Sequence, residues 1–546
     1  MHDLVIRGAL VCDGLGGSLR GDVAVRDGVI VAAGGKAGPA KRVVGAEGFA
    51  LMPGIVDVHT HYDAQVTWDR TLSPSPALGV TTAVLGNCGF GIAPCPASQR
   101  GTVLRNLSVV EGMDLDALEQ GVRWEFETFA EYLAQLRRTA PLANVAVLAQ
   151  HSTIRSAVMG EDASARTLPA DDELARMQAQ VREALDAGAI GFASSFSPNH
   201  AGWGGRPMPS TIAADAEVKA LAGELGRKGR GVFVVAAGSR ATPEYLEAIA
   251  ADTGRPAFMV TVLTMYDDAD PGRAMTYYER CAQARRRGRE IYIHANCQPL
   301  SFDFTLAAPY VFYAHEAFDR VKAAAPAERA AIYRDAAFRA RFRENLRSPR
   351  PGILFYGDWS KIERGGVPVT QLARAAGADP LDYVFDLPLE EQLIGKTYQN
   401  NDAGVAPLLK HEQGVIALSD AGAHLIYFCD AGFGLHLLAH WVRETGTFTL
   451  EEGARRLTSD PAAKYRIPGR GRLVPGAPAD LLLFDPQTVG VSALRRVRDL
   501  PGGRPRMLRD AVGVHGVWVN GAQVHDGREY VAAERGPGCV LTEFDA

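Results

Sequence analysis

Eight short apolar runs, with helical patterns between most of them, constrain this chain more than any other feature. They are Gly54–Val58, Thr81–Gly86, Val145–Ala149, Ile190–Ser194, Val232–Ala236, Ala257–Leu263, Glu290–Ala295 and Val415–Leu418. Helical periodicity lies between them, for example in Asp171–Ala187 and Ala214–Lys228. Strands that alternate with helices form βαβ units, and a parallel sheet of such units is buried on both faces. Its strands therefore read as nearly unbroken apolar stretches. Eight units predict an α/β fold, a (β/α)8 TIM barrel, with any chemistry at the carboxyl ends of the strands. One segment, Pro299 to Arg350, breaks the rhythm. Rich in Ala, Arg and aromatics, it reads as an insertion near 299–350 between the seventh and eighth strands, either a lid or a helical excursion.

The two ends have a different texture. Short strands with tight turns are predicted at Leu4–Arg7, Asp22–Arg26, Val29–Ala33 and Gly48–Leu51, and again at Ala479–Phe484 and Gly516–Val519. Asp27-Gly28 and Asn520-Gly521 are strong hairpin signals. The expectation is one small discontinuous β-sandwich domain, built from residues 1–52 and 468–546, beside a barrel spanning 53–467.

Charge and composition exclude several classes of partner. A net charge of −5 without a basic stripe gives no footprint for nucleic acid. The run Arg285-Arg286-Arg287-Gly288-Arg289 reads as the polar end of a helix, where cations complement the dipole. No window approaches 18 uncharged apolar residues, so no membrane span is expected. Arg7 and Gly8 interrupt the apolar run Leu4–Val11, which argues against a signal peptide. Seven scattered cysteines, an odd number, fit reduced thiols and a cytoplasmic location. The expected partner is a small-molecule substrate, and a homo-oligomer is compatible with the sequence.

Chemistry concentrates where the runs end. In Pro53-Gly-Ile-Val-Asp-Val-His-Thr-His61 the strand period of two turns His59 and His61 the same way. Side-by-side imidazoles form half of a metal site suited to zinc and its neighbours. Cys88, in Gly79-Val-Thr-Thr-Ala-Val-Leu-Gly-Asn-Cys-Gly-Phe-Gly91, falls at the second strand's end. It reads as a thiolate ligand or as a small buried hydrophobe. Asp420, in Val415-Ile-Ala-Leu-Ser-Asp-Ala-Gly-Ala-His424, could bind a metal and shuttle a proton, or cap a helix. His424 is a candidate substrate contact or a support behind the metal ligands, or packs against His440 and Trp441. His151 and His294 occupy the ends of the third and seventh strands, as oxyanion or substrate contacts or as structural histidines. Arg155, four residues after His151, is a candidate clamp for a substrate carboxylate or a surface arginine.

Together these motifs resemble the amidohydrolase superfamily, and within it the N-acyl-D-amino-acid deacylases (D-aminoacylases). Further matches are His151-Ser-Thr-Ile-Arg155, Gly188-Ala-Ile-Gly191 and Gly471-Arg-Leu-Val-Pro-Gly-Ala-Pro-Ala-Asp-Leu481. The resemblance implies that His59, His61 and Cys88 bind metal and that Asp420 is the catalytic aspartate; with Asp420 as a further ligand, the four could satisfy one metal. It implies a metal-dependent amidohydrolase that cleaves an amide C–N bond, of an N-acyl amino acid or a related small molecule. Water activated by the metal would attack, with Asp420 as general base and then acid. The family's fifth- and sixth-strand histidines are missing from Gly231–Ser239 and Phe258–Met265. Nor does Gly191–Phe196 carry the lysine that other amidohydrolases carboxylate into a metal bridge. One Zn2+ is therefore expected rather than two. A metal-assisted lyase on the same fold and a non-catalytic binding homologue are the alternatives.

Overall fold

The computed structural model describes residues 1–545 apart from 262–264, 267–269, 314, 326–327, 348–354, 356, 399–400 and 426–429. Eight strands follow one another in a single parallel sheet: Ile55–Asp57, Val80–Leu85, Asn144–Gln150, Gly191–Ser195, Val232–Ala236, Ala257–Val260, Ile291–Ala295 and Gly414–Ile416. Each pairs with its predecessor in the chain. The expected continuation of the sixth strand to Leu263 lies partly outside the described residues. The first and last strands meet just beyond their carboxyl ends, where Thr60 bridges Ala421 in parallel and the His61 N–H donates to the Ala421 carbonyl at 2.7 Å. That seam closes the sheet into the TIM barrel.

Burial explains the strand composition. Val58, Val84, Leu148, Ala193, Val234 and Phe258 pack together on the inner face with Tyr465 and Ile467. Their neighbours in sequence, among them Leu85, Val147, Phe192 and Val235, face the surrounding helices. Both parities are apolar because both faces are dry. Full burial of a Val, Leu or Phe contributes about 1.5–3 kcal/mol, so a polar group at these positions is tolerated only where it is paired. The helices are delimited by local chemistry. Phe129–Thr139, for instance, starts on a capping box in which Thr128 and Glu131 bond each other's backbone.

Both chain ends enter one mixed sheet. His2–Cys12 pairs antiparallel with Ser18–Arg26 and parallel with Ala50–Pro53, which in turn pairs antiparallel with Leu481–Phe484 and, through it, Val514–Val519. Asp27-Gly28 and Asn520-Gly521 turn the two hairpins with positive φ at both residues.

The chain divides into two compact units, the second built on Pro299–Asp402. The excursion after the seventh barrel strand therefore runs well past 350. Its own sheet explains why: Leu300–Phe304 pairs antiparallel with Leu393–Tyr398, so the unit closes only at its far end. Phe312, Phe318, Phe338, Phe342 and Phe385 form its aromatic centre. Among the described residues, no helix is long and apolar enough to cross a membrane.

Candidate metal centre

The seam between the first and last barrel strands is also where the chemistry collects. His59 and His61 follow the first strand, and their Nε2 atoms lie 3.3 Å apart. The Cys88 sulfur is 3.7 Å from His59 Nε2, and one donor atom from each of the three residues lies within 4.8 Å of the other two. Asp420 Oδ1 is 3.1 Å from His61 Nε2 and 3.5 Å from His59 Nε2. All four side chains are buried.

The backbone is bent to achieve this. Cys88, Asp420 and His424 adopt φ of 55°, 53° and 53°, values uncommon for residues with a Cβ and typical of functional sites. Two glycines permit the bends. A Cβ on Gly89 would stand 2.8 Å from the Ala193 carbonyl of the fourth strand, and one on Gly422 would stand 2.6 Å from the His61 carbonyl. The Gly-rich turn after the second strand and the Asp-Ala-Gly turn after the eighth are thereby pressed onto the histidine segment.

Burial and charge set the protonation states. Burial alone would raise Asp420, but the imidazoles of His59 and His61 hold it well below the usual carboxylate range. Burial depresses His59. His61 is raised well above its ordinary value, because the carboxylates of Glu111 and Asp420 outweigh its desolvation. The Cys88 thiol is pushed up to about 11 by burial; a coordinating cation would deprotonate it outright. Beneath the cluster, buried Asp57 accepts the His59 N–H at 3.1 Å.

The other candidate residues divide. His424 joins the cluster, with Nε2 3.6 Å from Asp420 Oδ2, and its side chain is a quarter exposed. His294 does not open towards a substrate. Its ring lies 5.6 Å from that of His59, and its Nε2 bonds the Tyr465 hydroxyl at 2.7 Å, buried inside the barrel. His151 and Arg155 are elsewhere. His151 Nδ1 meets Ser194 Oγ at 2.8 Å, and Ser194 shares a face with Phe192, which packs on the helices. His151 therefore points out of the barrel, not at an oxyanion. Its Nε2 lies 2.8 Å from Glu217, which also pairs with Arg155 Nε at 3.0 Å. The Arg155 guanidinium donates to the carbonyls of Ala163, Pro209 and Arg166 and is fully buried. Such an arginine is neither on the surface nor available as a carboxylate clamp.

This network makes an expected result. Glu217→Gln keeps the shape but leaves the buried guanidinium and imidazole underpaired, and should lower unfolding stability by about 1–3 kcal/mol. Metal content should stay unchanged. Chemical denaturation with metal analysis checks both, and loss of metal would place the network in the centre after all.

Two neighbours of the cluster were missed. Glu111, one residue past the helix Arg100–Val110, is buried with Oε1 3.3 Å from His61 Nδ1. An acid at a helix carboxyl end opposes the dipole, and that mismatch was the available signal. His200 follows the fourth strand, with Nδ1 2.7 Å from Ser195 Oγ and its ring 4.9 Å from Phe90. Burial, with His424 and His61 nearby, lowers it to about 3.

A closed parallel barrel that gathers two imidazoles, a thiol and a carboxylate at its strand ends has the fold and donor set of a metal-dependent enzyme. A model described as the amidohydrolase family matches residues 42–525. An N-acyl-D-aspartate deacylase of Alcaligenes xylosoxydans xylosoxydans is 30% identical over 100% of this chain and 96% of its own length. The D-aminoacylase of the same organism is 28% identical over 98% of this chain and 96% of its own. The crystal structure of an N-acyl-D-glutamate deacylase from Bordetella bronchiseptica, complexed with zinc and a phosphonate mimic of the tetrahedral intermediate, superimposes with a TM-score of 0.67. It shares 26% identity and covers 99% of this chain and 100% of that one. The chain belongs to the amidohydrolase family. It is a metal-dependent hydrolase of amide C–N bonds other than peptide bonds, which favours hydrolysis over the lyase and binding-protein alternatives.

Proposed function

We propose that this enzyme removes the acyl group from an N-acyl amino acid at a centre for one zinc ion, held by His59, His61, Cys88 and Asp420. The observation that carries the reading is the placement of Asp420. One carboxylate oxygen is 3.1 Å from His61 Nε2, while the other is 3.6 Å from His424 Nε2. The residues fit such an ion: imidazole, thiolate and carboxylate are zinc donors, His59, His61 and Cys88 converge, Asp420 lies against both histidines, and all four are buried. Bound there, the cation would act as a Lewis acid and lower the pKa of water. Asp420 accepts the proton of the attacking water and returns it to the departing nitrogen. His424, the more exposed imidazole, faces the second Asp420 oxygen and is suited to contact the substrate.

A single ion is supported by the donor count. Among the described residues one convergent group of three such side chains is found, and no histidine follows the fifth or sixth strand before Pro271. A D-aminoacylase structure 25% identical to this chain, at a TM-score of 0.68, belongs to an enzyme whose binuclear centre is activated by one metal and attenuated by a second. The D configuration of the substrate is supported by the relatives named above. Buried free thiols at Cys12, Cys88, Cys95, Cys281 and Cys297 support a cytoplasmic location.

The test is metal removal and return. Chelated enzyme should be inactive towards a panel of N-acyl-D- and N-acyl-L-amino acids, and one equivalent of zinc should restore turnover of D substrates. Failure to cleave any N-acyl amino acid in any metal state would overturn the substrate class. Recovery only with a second equivalent would overturn the single ion.

A further inference from the structure

His61 uses its two ring nitrogens in different directions. Nε2 faces the other donors, 3.3 Å from His59 Nε2 and 3.1 Å from Asp420 Oδ1. Nδ1 faces away from them, 3.3 Å from Glu111 Oε1. We infer that Glu111 is a positioning residue: its carboxylate holds the proton of His61 on Nδ1 and thereby reserves Nε2 for the cation. The inference rests on the metal reading of the cluster.

Three further observations support it. Glu111 is itself anchored. Its N–H donates to the Leu107 carbonyl at 3.0 Å, and its carbonyl accepts the His424 N–H, so the acid is fixed by the helix on one side and the eighth-strand turn on the other. Its second oxygen is 3.9 Å from His424 Nε2, which sets the carboxylate between histidines from the first and last strand ends. The arrangement is also specific to one imidazole: His59 Nδ1 is buried with no hydrogen-bond partner among the described residues. A buried acid at the end of a helix that repels it is costly unless it is paired. His61 is the nearest group that can pair it. A neutral imidazole has one N–H, and whichever nitrogen the acceptor holds determines which lone pair is left for a metal.

Glu111→Ala and Glu111→Gln, compared with wild type, test this. Zinc affinity, measured by competition with a chromogenic chelator, should fall about 10–100-fold in the alanine variant. It should fall less in the glutamine variant, whose amide oxygen can take the place of Glu111 Oε1, 3.3 Å from His61 Nδ1. Nitrogen-15 spectra of histidine-labelled, chelated protein, recorded at a pH alkaline enough that His61 carries a single proton and with its signal assigned through His61→Ala, should show that proton on Nδ1 in wild type. The alanine variant should shift it towards Nε2. Zinc affinity of Glu111→Ala within about twofold of wild type, with only thermal stability lowered, would reduce Glu111 to a structural group. Equal losses in both variants with an unchanged His61 tautomer would make Glu111 a direct ligand. Either result overturns the inference. If the alanine variant fails to fold, the glutamine variant and the wild-type tautomer decide. Wild type that binds no zinc at all would instead defeat the metal reading itself.

Discussion

Asp420→Asn should abolish most turnover, by about 10²–10⁴-fold, while the fold and much of the metal remain. Asparagine has the same size and still offers a carbonyl oxygen where Asp420 Oδ1 stands, 3.1 Å from His61 Nε2. It cannot accept a proton. If Asp420 were a helix cap, asparagine would serve nearly as well and activity would hardly change. The two accounts thus separate by several kcal/mol of activation free energy, since about 1.4 kcal/mol is tenfold. Steady-state kinetics at matched metal content make the measurement. A variant within about twofold of wild type would remove the catalytic role and turn attention to His424 and His200, two further titratable groups beside the cluster.

Replacement of either histidine by alanine should empty the centre. His59 lies within 3.7 Å of the Cys88 sulfur and 3.3 Å of His61, so each imidazole is a neighbour of the remaining donors. No spare histidine from the fifth or sixth strand stands ready to replace it. Metal content and activity should therefore fall together in His59→Ala and His61→Ala, with activity reduced at least as far as in the Asp420 variant. Elemental analysis after gel filtration, beside the same assay, checks the coupling. Full metal retention in both variants would place the ion elsewhere in the molecule.

What could be read from the sequence follows from periodicity. His59 and His61 were legible because a period of two turns them the same way and a preceding apolar run places them at a strand end. Cys88 and Asp420 were legible for the same reason, one turn beyond a buried strand. His151 also follows a strand, yet the parity that puts Leu148 inside the barrel puts His151 outside it. Unbroken apolar runs hide parity, because both faces are buried. Glu111 was hidden differently. It is no part of a strand end, and only the packing of its helix against the first and eighth strand ends brings it to His61. The far limit of the excursion was missed because its closing strand, Leu393–Tyr398, pairs with a partner at its opposite end.

The seam where Thr60 meets Ala421 has a consequence for how the enzyme matures. The Ser419 hydroxyl reaches the His59 carbonyl across 360 residues of chain, and the second unit, built on Pro299–Asp402, is synthesised in between. Two donors of the centre emerge early on the first strand, but Asp420 joins them only when the last strand docks. With the proposed ligands, a partly folded chain holds an incomplete set, and tight metal capture would mark the completed ring. An ion that binds only the closed form stabilises it by mass action, about 2.7 kcal/mol at a hundred times its dissociation constant. Metal supply would thus act as a latch on the long loop closure that completes the barrel.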